Sequence, residues 1–83
     1  MTTSRGSRAS AFIAVNGDAI REARKQRGLS IEQLATRVGV TKPYISKLEL
    51  GHSLRCSVTV HASLVRILRP ARSDAFRADK AVA

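Results

Sequence analysis

The segment of residues 29–51 constrains this chain most, because its local signals specify two short helices at a fixed separation. Ser30 has the side chain of a helix N-cap, and Gln33 follows at the spacing of a capping box. Gly39 stands where this helix must end, because glycine enters the left-handed conformation at little cost. The apolar residues in between recur on one helical face: Ile31, Leu34, Ala35 and Val38. This spacing predicts one short amphipathic helix.

A second helix is predicted directly after that glycine. Thr41 can cap it, and Pro43 falls in its first turn, where the helix needs no N–H from the residue. Ile45 and Leu48 lie three apart and would face the first helix, and Gly51 would end the second. Helix, glycine turn and helix in this order form a helix-turn-helix motif.

The motif resembles that of the Cro/CI-type repressors, also called the xenobiotic-response-element family. Every position of the family's pattern is matched, by Gly28, Leu29, Ser30, Leu34, Ala35, Gly39, Val40, Thr41, Ile45, Ser46, Leu48, Glu49 and Gly51. The resemblance implies an all-α, lambda-repressor-like helix-turn-helix domain of four to five helices, and it allows a short extended segment at the N-terminus. It also implies that the second helix of the motif, the recognition helix, binds DNA.

The charge balance favours a polyanionic partner. The 83 residues carry 15 Lys and Arg against 6 Asp and Glu, a net charge of +9, which suits nucleic acid or an acidic membrane surface. No predicted helix joins a basic face to a large aromatic-rich apolar face, so no membrane partner is expected. The longest apolar run, residues 11–15, is too short for a membrane span or a signal peptide. The single cysteine excludes an intrachain disulfide and fits a reducing cytoplasm.

The chain is expected to divide into three segments. These are a basic N-terminal arm and extended lead-in at residues 1–15, the DNA-binding domain at residues 16–68, and a tail or short fifth helix at residues 69–83. Arg5 and Arg8 in the arm either reach DNA phosphates or a minor groove, or belong to an unstructured start. Residues 11–15 are predicted to be extended, and either pack on the domain or pair with a second copy as an edge strand.

Two further helices are predicted outside the motif. Residues 18–27 form the first of them, after an Asn16 cap, and residues 57–68 form the other, capped by Ser57. Residues 58–60, Val-Thr-Val, are β-branched and leave a strand start as an alternative.

The tail follows an Arg69–Pro70 step that ends the last of these helices. A short fifth helix capped by Ser73 could follow, with Phe76 as its apolar anchor. Such a helix would cover the core, support a dimer or fray.

The exposed side of the recognition helix is expected to read DNA bases, because its N-terminal residues reach base edges in the major groove. Lys42 and Lys47 suit guanine O6 and N7 or a phosphate, and Ser46 suits a base or a phosphate. Pro43 and Tyr44 offer apolar surface to a thymine methyl group. For Tyr44, packing at the rim of the domain is an equal alternative.

A second set of residues is expected to hold DNA phosphates. Relatives clamp phosphates with the loop after the recognition helix, where Arg55 is the best placed cation and His52 and Ser53 stand behind it. The predicted phosphate-binding set is Arg24, Thr41, His52, Ser53 and Arg55.

The family resemblance bears on two further features, one that this chain shares with the family and one in which it departs. The resemblance implies a structural ion pair between Arg24 and Glu49, which would tie the first helix to the end of the recognition helix. In the family, the first residue of the first motif helix is often a glutamine that helps to hold the DNA backbone, but here it is Ile31. That contact is lost, or it is made by a backbone N–H.

No catalytic residues, metal site or cofactor are predicted. Serine, histidine and acidic residues occur without a recognisable catalytic spacing. His52, Cys56 and His61 lie close in sequence, but they do not match a zinc spacing and lack a fourth ligand.

Together these features predict a transcriptional regulator rather than an enzyme. It would occupy an operator in double-stranded DNA as a homodimer and repress, in a bacterial cytoplasm or in that of a phage's host. Its size resembles that of minimal phage repressors and Cro proteins. One alternative is an antitoxin or excision-control protein that acts on DNA with a protein partner. The other is a protein-interaction module that has lost DNA binding, which the basic, polar reading face disfavours.

Overall fold

Residues 12–78 are described by the structure, a computed structural model. Its elements are β1 (Phe12–Ala14), α1 (Gly17–Gln26), α2 (Ile31–Val38), α3 (Lys42–Leu50), β2 (Arg55–Ser57) and α4 (Val58–Leu68). These four helices, with the motif in the predicted place, confirm the helix-turn-helix fold class and its short N-terminal extended segment. Arg5, Arg8 and the last residues of the tail lie outside the described part. None of the helices within residues 12–78 has the length and apolar character needed to span a bilayer.

The helix-turn-helix forms at the caps that its sequence specifies. Both bonds of the capping box are present: Gln33 N donates to Ser30 Oγ at 3.0 Å, and Ser30 N donates to Gln33 Oε1 at 2.8 Å. Gly39 ends α2 in the left-handed conformation, with φ of 92°. Thr41 then caps α3 by accepting from Tyr44 N at 3.3 Å. Local hydrogen bonds therefore fix both sides of the short turn at Gly39 that joins the two helices.

The outer helices begin at the predicted caps. Asn16 accepts from Ala19 N at 3.2 Å, so α1 starts at Gly17, one residue earlier than predicted. Ser57 accepts from Val60 N at 3.1 Å and starts α4. Residues 58–60 are helical, so the strand alternative for them is wrong. The Ser57 hydroxyl accepts from Val60 N and thereby stabilises the helical conformation at this position.

A two-stranded antiparallel sheet joins the start of the chain to the loop after α3. Ile13 lies opposite Cys56, and Val15 N donates to Leu54 O at 3.0 Å just beyond the strand. Residues 12–15 therefore pack on their own chain, as the first alternative predicted. The strand β2 was not predicted, because three residues carry too little periodicity to signal a strand.

For the segment after α4, the sequence left a tail or a short fifth helix, and the helix is wrong, because residues 69–78 are not helical. Their backbone bonds to the N-terminal strand segment instead: Asn16 N donates to Phe76 O at 2.8 Å, and Ala78 N donates to Ala14 O at 3.0 Å. Phe76 is 1% exposed, so it does anchor this segment on the core. The backbone groups that a helix would need are therefore committed to other partners.

The core lies between the four helices and the inner face of the sheet. α2 packs on both α3 and α4, and α1 packs on the same two helices. The buried apolar residues of the described chain are Val15, Ile20, Leu34, Ala35, Ile45, Leu48, Cys56, Leu64, Leu68 and Phe76. The two motif helices contribute the apolar faces that their periodicity predicted. Burial of the apolar faces of all four helices sets the arrangement of the helices.

An ion pair between Arg24 and Glu49 joins α1 to α3. Arg24 Nε donates to Glu49 Oε2 at 2.7 Å, and Arg24 Nη2 donates to Glu49 Oε1 at 3.0 Å. Arg24 Nη1 also donates to Leu29 O at 2.8 Å, which fixes the loop before α2. The side chains are only 11% and 3% exposed. One guanidinium therefore ties α1 to α3 and to the loop before α2, in a setting with little solvent screening.

The first residue of α1 lies against the end of α3. A Cβ added to Gly17 would clash with Leu48 O and lie 2.8 Å from Glu49 O. Both oxygens belong to the helix backbone and cannot rotate away. Glycine is therefore needed at this position for close approach of the two helices.

We expect Gly17→Ala to destabilise the domain by about 1–3 kcal/mol, because α1 or α3 must shift to make room. Chemical denaturation monitored by circular dichroism measures the change. Helix propensity alone predicts the opposite sign, since alanine is the better helix former. A variant as stable as the parent, or more stable, would contradict the close approach.

We expect Glu49→Leu to cost about 3–5 kcal/mol, because it strands the Arg24 guanidinium in a nearly buried site. Urea denaturation at pH 7 gives the free energy of unfolding. The control is Glu32→Leu, which removes an exposed acid from α2 and should change stability by less than about 0.5 kcal/mol. Equal losses in the two variants would show that the ion pair does not stabilise the fold.

Candidate nucleic-acid interface

Helix α3 presents a basic, polar side to solvent. Lys42 and Lys47 are exposed, whereas Ile45 and Leu48 are 0% and 1% exposed and hold the opposite side against the core. The rest of the predicted base-reading set also lies on the outer side: Pro43 is exposed, and Tyr44 and Ser46 are half-buried. The apolar anchors therefore determine which way the lysines point.

A groove of about 340 Å³ separates α3 from the sheet. It brings together Tyr44 and Lys47 from the predicted base-reading set and Thr41, Ser53 and Arg55 from the predicted phosphate-binding set. These residues are up to 14 positions apart in sequence. The groove is lined by Phe12, Thr41, Pro43, Tyr44, Lys47, Leu48, Ser53 and Arg55.

A second hollow, of about 310 Å³, lies on the other side of Lys47. It gathers His52 with the exposed side of α3 and is lined by Lys42, Pro43, Ser46, Lys47, Leu50 and His52. Lys47 lines both hollows, so it stands centrally on the surface that the predicted residues share.

Arg24 does not join this surface. Its guanidinium makes three hydrogen bonds to Glu49 and Leu29, and its side chain is 11% exposed. This placement argues against the phosphate contact that was predicted for Arg24 and leaves it the structural role. The predicted ion pair with Glu49 is formed.

Ile31, the departure from the family pattern, is half-buried at the start of α2. It packs against the core and lines a hollow of about 210 Å³ with Arg21, Ser46 and Leu50 among others. Its side chain therefore adds apolar contact between α2 and α3 in place of a polar contact.

Phe12 is a residue of the groove that sequence reasoning missed. It is 58% exposed, and the Arg55 guanidinium carbon lies 5.7 Å from the centre of its ring. Residues 12–15 are all apolar, so their sequence does not show which of them face the core. In the structure Ile13 and Val15 face the core and Phe12 lies on the outer face. Only the pairing of β1 with β2 brings it to Arg55.

The three residues considered for a metal do not form a site. Cys56 is fully buried, and burial raises the pKa of its thiol from 9.0 to about 11. Burial, and then the charge of Arg77, lower the pKa of His61. His52 lies on the exposed loop. Across residues 12–78, no three His, Cys, Asp or Glu side chains gather where they could hold a metal ion.

A family model described as Helix-turn-helix matches residues 20–54, which run from α1 to the loop after α3. The N-terminal DNA-binding domain of SinR from Bacillus subtilis is 30% identical, with a TM-score of 0.62 over 65% of this chain and 78% of that one. The chain belongs to the Cro/CI-type helix-turn-helix family. The predicted family is thereby confirmed, and its fold is that of DNA-binding transcriptional regulators.

Two other similar solved structures contain SinR with a partner. SinR in complex with DNA, a master regulator of biofilm formation, is 27% identical with a TM-score of 0.66 over 72% of this chain and 97% of that one. A chain in the complex of the SinR and SinI proteins is 30% identical, with a TM-score of 0.62 over 65% of this chain. This chain spans 52% of that one.

A longer relative comes from Methanoregula boonei (strain DSM 21154 / JCM 14090 / 6A8), and its name describes an HTH-type transcriptional regulatory protein. It is 37% identical over 49 residues, which are 59% of this chain but only 16% of the relative. The similarity is therefore confined to a segment of that relative about 49 residues long.

We expect Cys56 to resist a maleimide probe in the native state, because its thiol is buried and its raised pKa disfavours the reactive thiolate. Mass spectrometry at pH 8 should show labelling at least about tenfold slower than in denaturant. In the control Cys56→Ala/Thr59→Cys, the cysteine sits at an exposed position and should label quickly. Native labelling of Cys56 at the control's rate would contradict its burial.

Proposed function

We propose that this protein is a sequence-specific regulator of transcription that binds double-stranded DNA through α3 in the major groove. The observation that carries the proposal is the outer side of α3, where Lys42 and Lys47 project from a helix whose other side is locked in the core. N-terminal residues of a recognition helix are the ones that reach base edges. Membership of a family of DNA-binding regulators supports the same conclusion.

The base-reading contacts divide by chemistry. Lys42 and Lys47 donate to guanine O6 and N7, and Ser46 donates to or accepts from a base edge. Pro43 and the half-buried ring of Tyr44 offer apolar surface to a thymine methyl group. A contact of bidentate quality discriminates against a wrong base by about 1–3 kcal/mol.

The phosphate contacts flank these residues on both sides. Thr41, Ser53 and Arg55 line the groove toward the sheet, and His52 lines the hollow beyond Lys47. In that position they would meet the DNA backbone where it borders the major groove, and fix the register of α3 on the bases. The absence of a glutamine at position 31 leaves that part of the backbone to the N–H groups that start α2.

The proposal includes a homodimer that represses by occupying a two-fold symmetric operator in the cytoplasm. One domain of this size contacts a single half-site, and a dimer doubles the contacts and sets their spacing to one turn of DNA. Occupation of a promoter would then exclude other proteins from it.

A second candidate is a regulator that acts on DNA together with a protein partner, as an antitoxin or excision-control protein does. Leu50 and Leu54 are 64% and 70% exposed near the end of α3, where apolar side chains suit a protein contact. A complex of SinR with the SinI protein is among the similar structures, which supports this role. A module that has lost DNA binding is the remaining alternative.

We expect selection from a random duplex pool to yield a short palindrome that binds at least about a thousandfold tighter than scrambled DNA. Lys42→Ala/Lys47→Ala should lose that preference. The control Arg66→Ala/Arg72→Ala removes the same charge from exposed positions in or after α4, which packs on α1, α2 and the strands. It should keep the preference.

Two outcomes would overturn the proposal. Binding that is only salt-sensitive and blind to sequence would show that net charge alone attracts DNA. A Lys42→Ala/Lys47→Ala protein that regulates as the parent does would favour the protein-interaction module.

A further inference from the structure

The strand pair places an aromatic ring beside a cation on its outer face. In the register of β1 and β2, Ala14 lies opposite Arg55 and Phe12 lies opposite Ser57, so Phe12 and Arg55 are diagonal neighbours on one face. The 5.7 Å between the Arg55 guanidinium carbon and the ring centre is within the range of a cation–π contact. With 58% of its surface exposed, Phe12 contributes little to the core.

The groove beside this pair has the chemistry of an anion site. Its lining provides the cations of Lys47 and Arg55, three hydroxyl groups and no carboxylate. The hydroxyl groups belong to Thr41, Tyr44 and Ser53. Because Tyr44 and Lys47 also belong to α3, an anion bound in this groove lies next to the DNA that the recognition helix is proposed to contact. A backbone phosphate of DNA fits that position.

We propose that Phe12 is a positioning residue for DNA binding, which holds the Arg55 guanidinium at the groove where it binds a backbone phosphate. This inference rests on the proposed function and adds to it a residue outside the helix-turn-helix motif. An arginine stacked on a ring keeps its N–H edge available for a phosphate. A free arginine side chain loses rotamer freedom when it binds, and the ring removes part of that loss in advance.

The strand pair thereby has a role beyond stability. β1 brings Phe12 across from the start of the described chain, and β2 carries Arg55 away from α3 to the far wall of the groove. Without the pairing, Arg55 would sit in an open loop. The sheet therefore holds Arg55 in place as a preorganised clamp.

The test compares four proteins in a fluorescence anisotropy titration across salt: the parent, Phe12→Leu, Arg55→Ala and the double variant. Leucine keeps a large apolar side chain on the strand but removes the ring. We expect Phe12→Leu to weaken binding about two- to fivefold, the range of an exposed cation–π contact. Arg55→Ala should weaken binding further and lower the salt slope by about 0.9, the value for one phosphate contact.

The decisive comparison is the double variant, which should bind as Arg55→Ala does, because Phe12 has nothing left to position. Phe12→Tyr, which keeps a ring, should bind as the parent does. Thermal melting of each free protein separates a loss of clamp geometry from a loss of fold. An equal loss from Phe12→Leu in both backgrounds, or no loss from it, would overturn the inference.

The same titrations are run on scrambled duplex at low salt, because a phosphate contact exists on every sequence. If no operator is found, the proposed specific regulator fails while the Phe12–Arg55 coupling is still measured on this DNA. If an operator is bound and the coupling is zero, the inference fails and the regulator stands. The two proposals are therefore judged separately.

Discussion

The buried ion pair between Arg24 and Glu49 is the contact on which the geometry of the motif depends. It joins the last turn of α1 to the end of α3, and the third bond from Arg24 holds the Leu29 carbonyl before α2. A nearly buried charge without its partner is costly, so these segments cannot separate independently. Gly17 lets the start of α1 reach the end of α3 closely enough for the pair to form. The orientation of α3, and with it the direction of its lysines, follows from this arrangement.

The interface is built outward from that frame. Ile45 and Leu48 hold one side of α3 in the core, so Lys42 and Lys47, on the opposite side, face solvent. The capped start of α3 leaves its first turn exposed beside the groove. Arg27 adds a further tie by donating from Nε to Leu68 O at 2.8 Å, which joins the ends of α1 and α4. The packed helices thus form a scaffold that holds the exposed lysines of α3 in place, an arrangement suited to binding DNA.

Local signals account for the parts that sequence reasoning found. Caps, glycines and apolar spacing act within four or five residues, and each predicted helix of the motif begins and ends where they indicate. The parts it missed involve residues far apart. β2 is a strand only because β1 lies beside it, more than 40 residues earlier in the chain. The backbone of residues 69–78 bonds to the β1 segment. The possible helix based on Ser73 and Phe76 used local signals only and could not include these distant contacts.

The sequence by itself determined the family, the helices and the side of α3 that faces outward, because periodicity and capping are local properties of the chain. The tertiary structure alone decided which basic residues share a surface. An ion pair with Glu49 and a phosphate contact had both been predicted for Arg24, and in the fold its guanidinium is bonded to Glu49 and nearly buried, away from that surface. The tertiary structure also placed Phe12 against Arg55, since a cross-strand contact depends on register, and register exists only once the two strands have met.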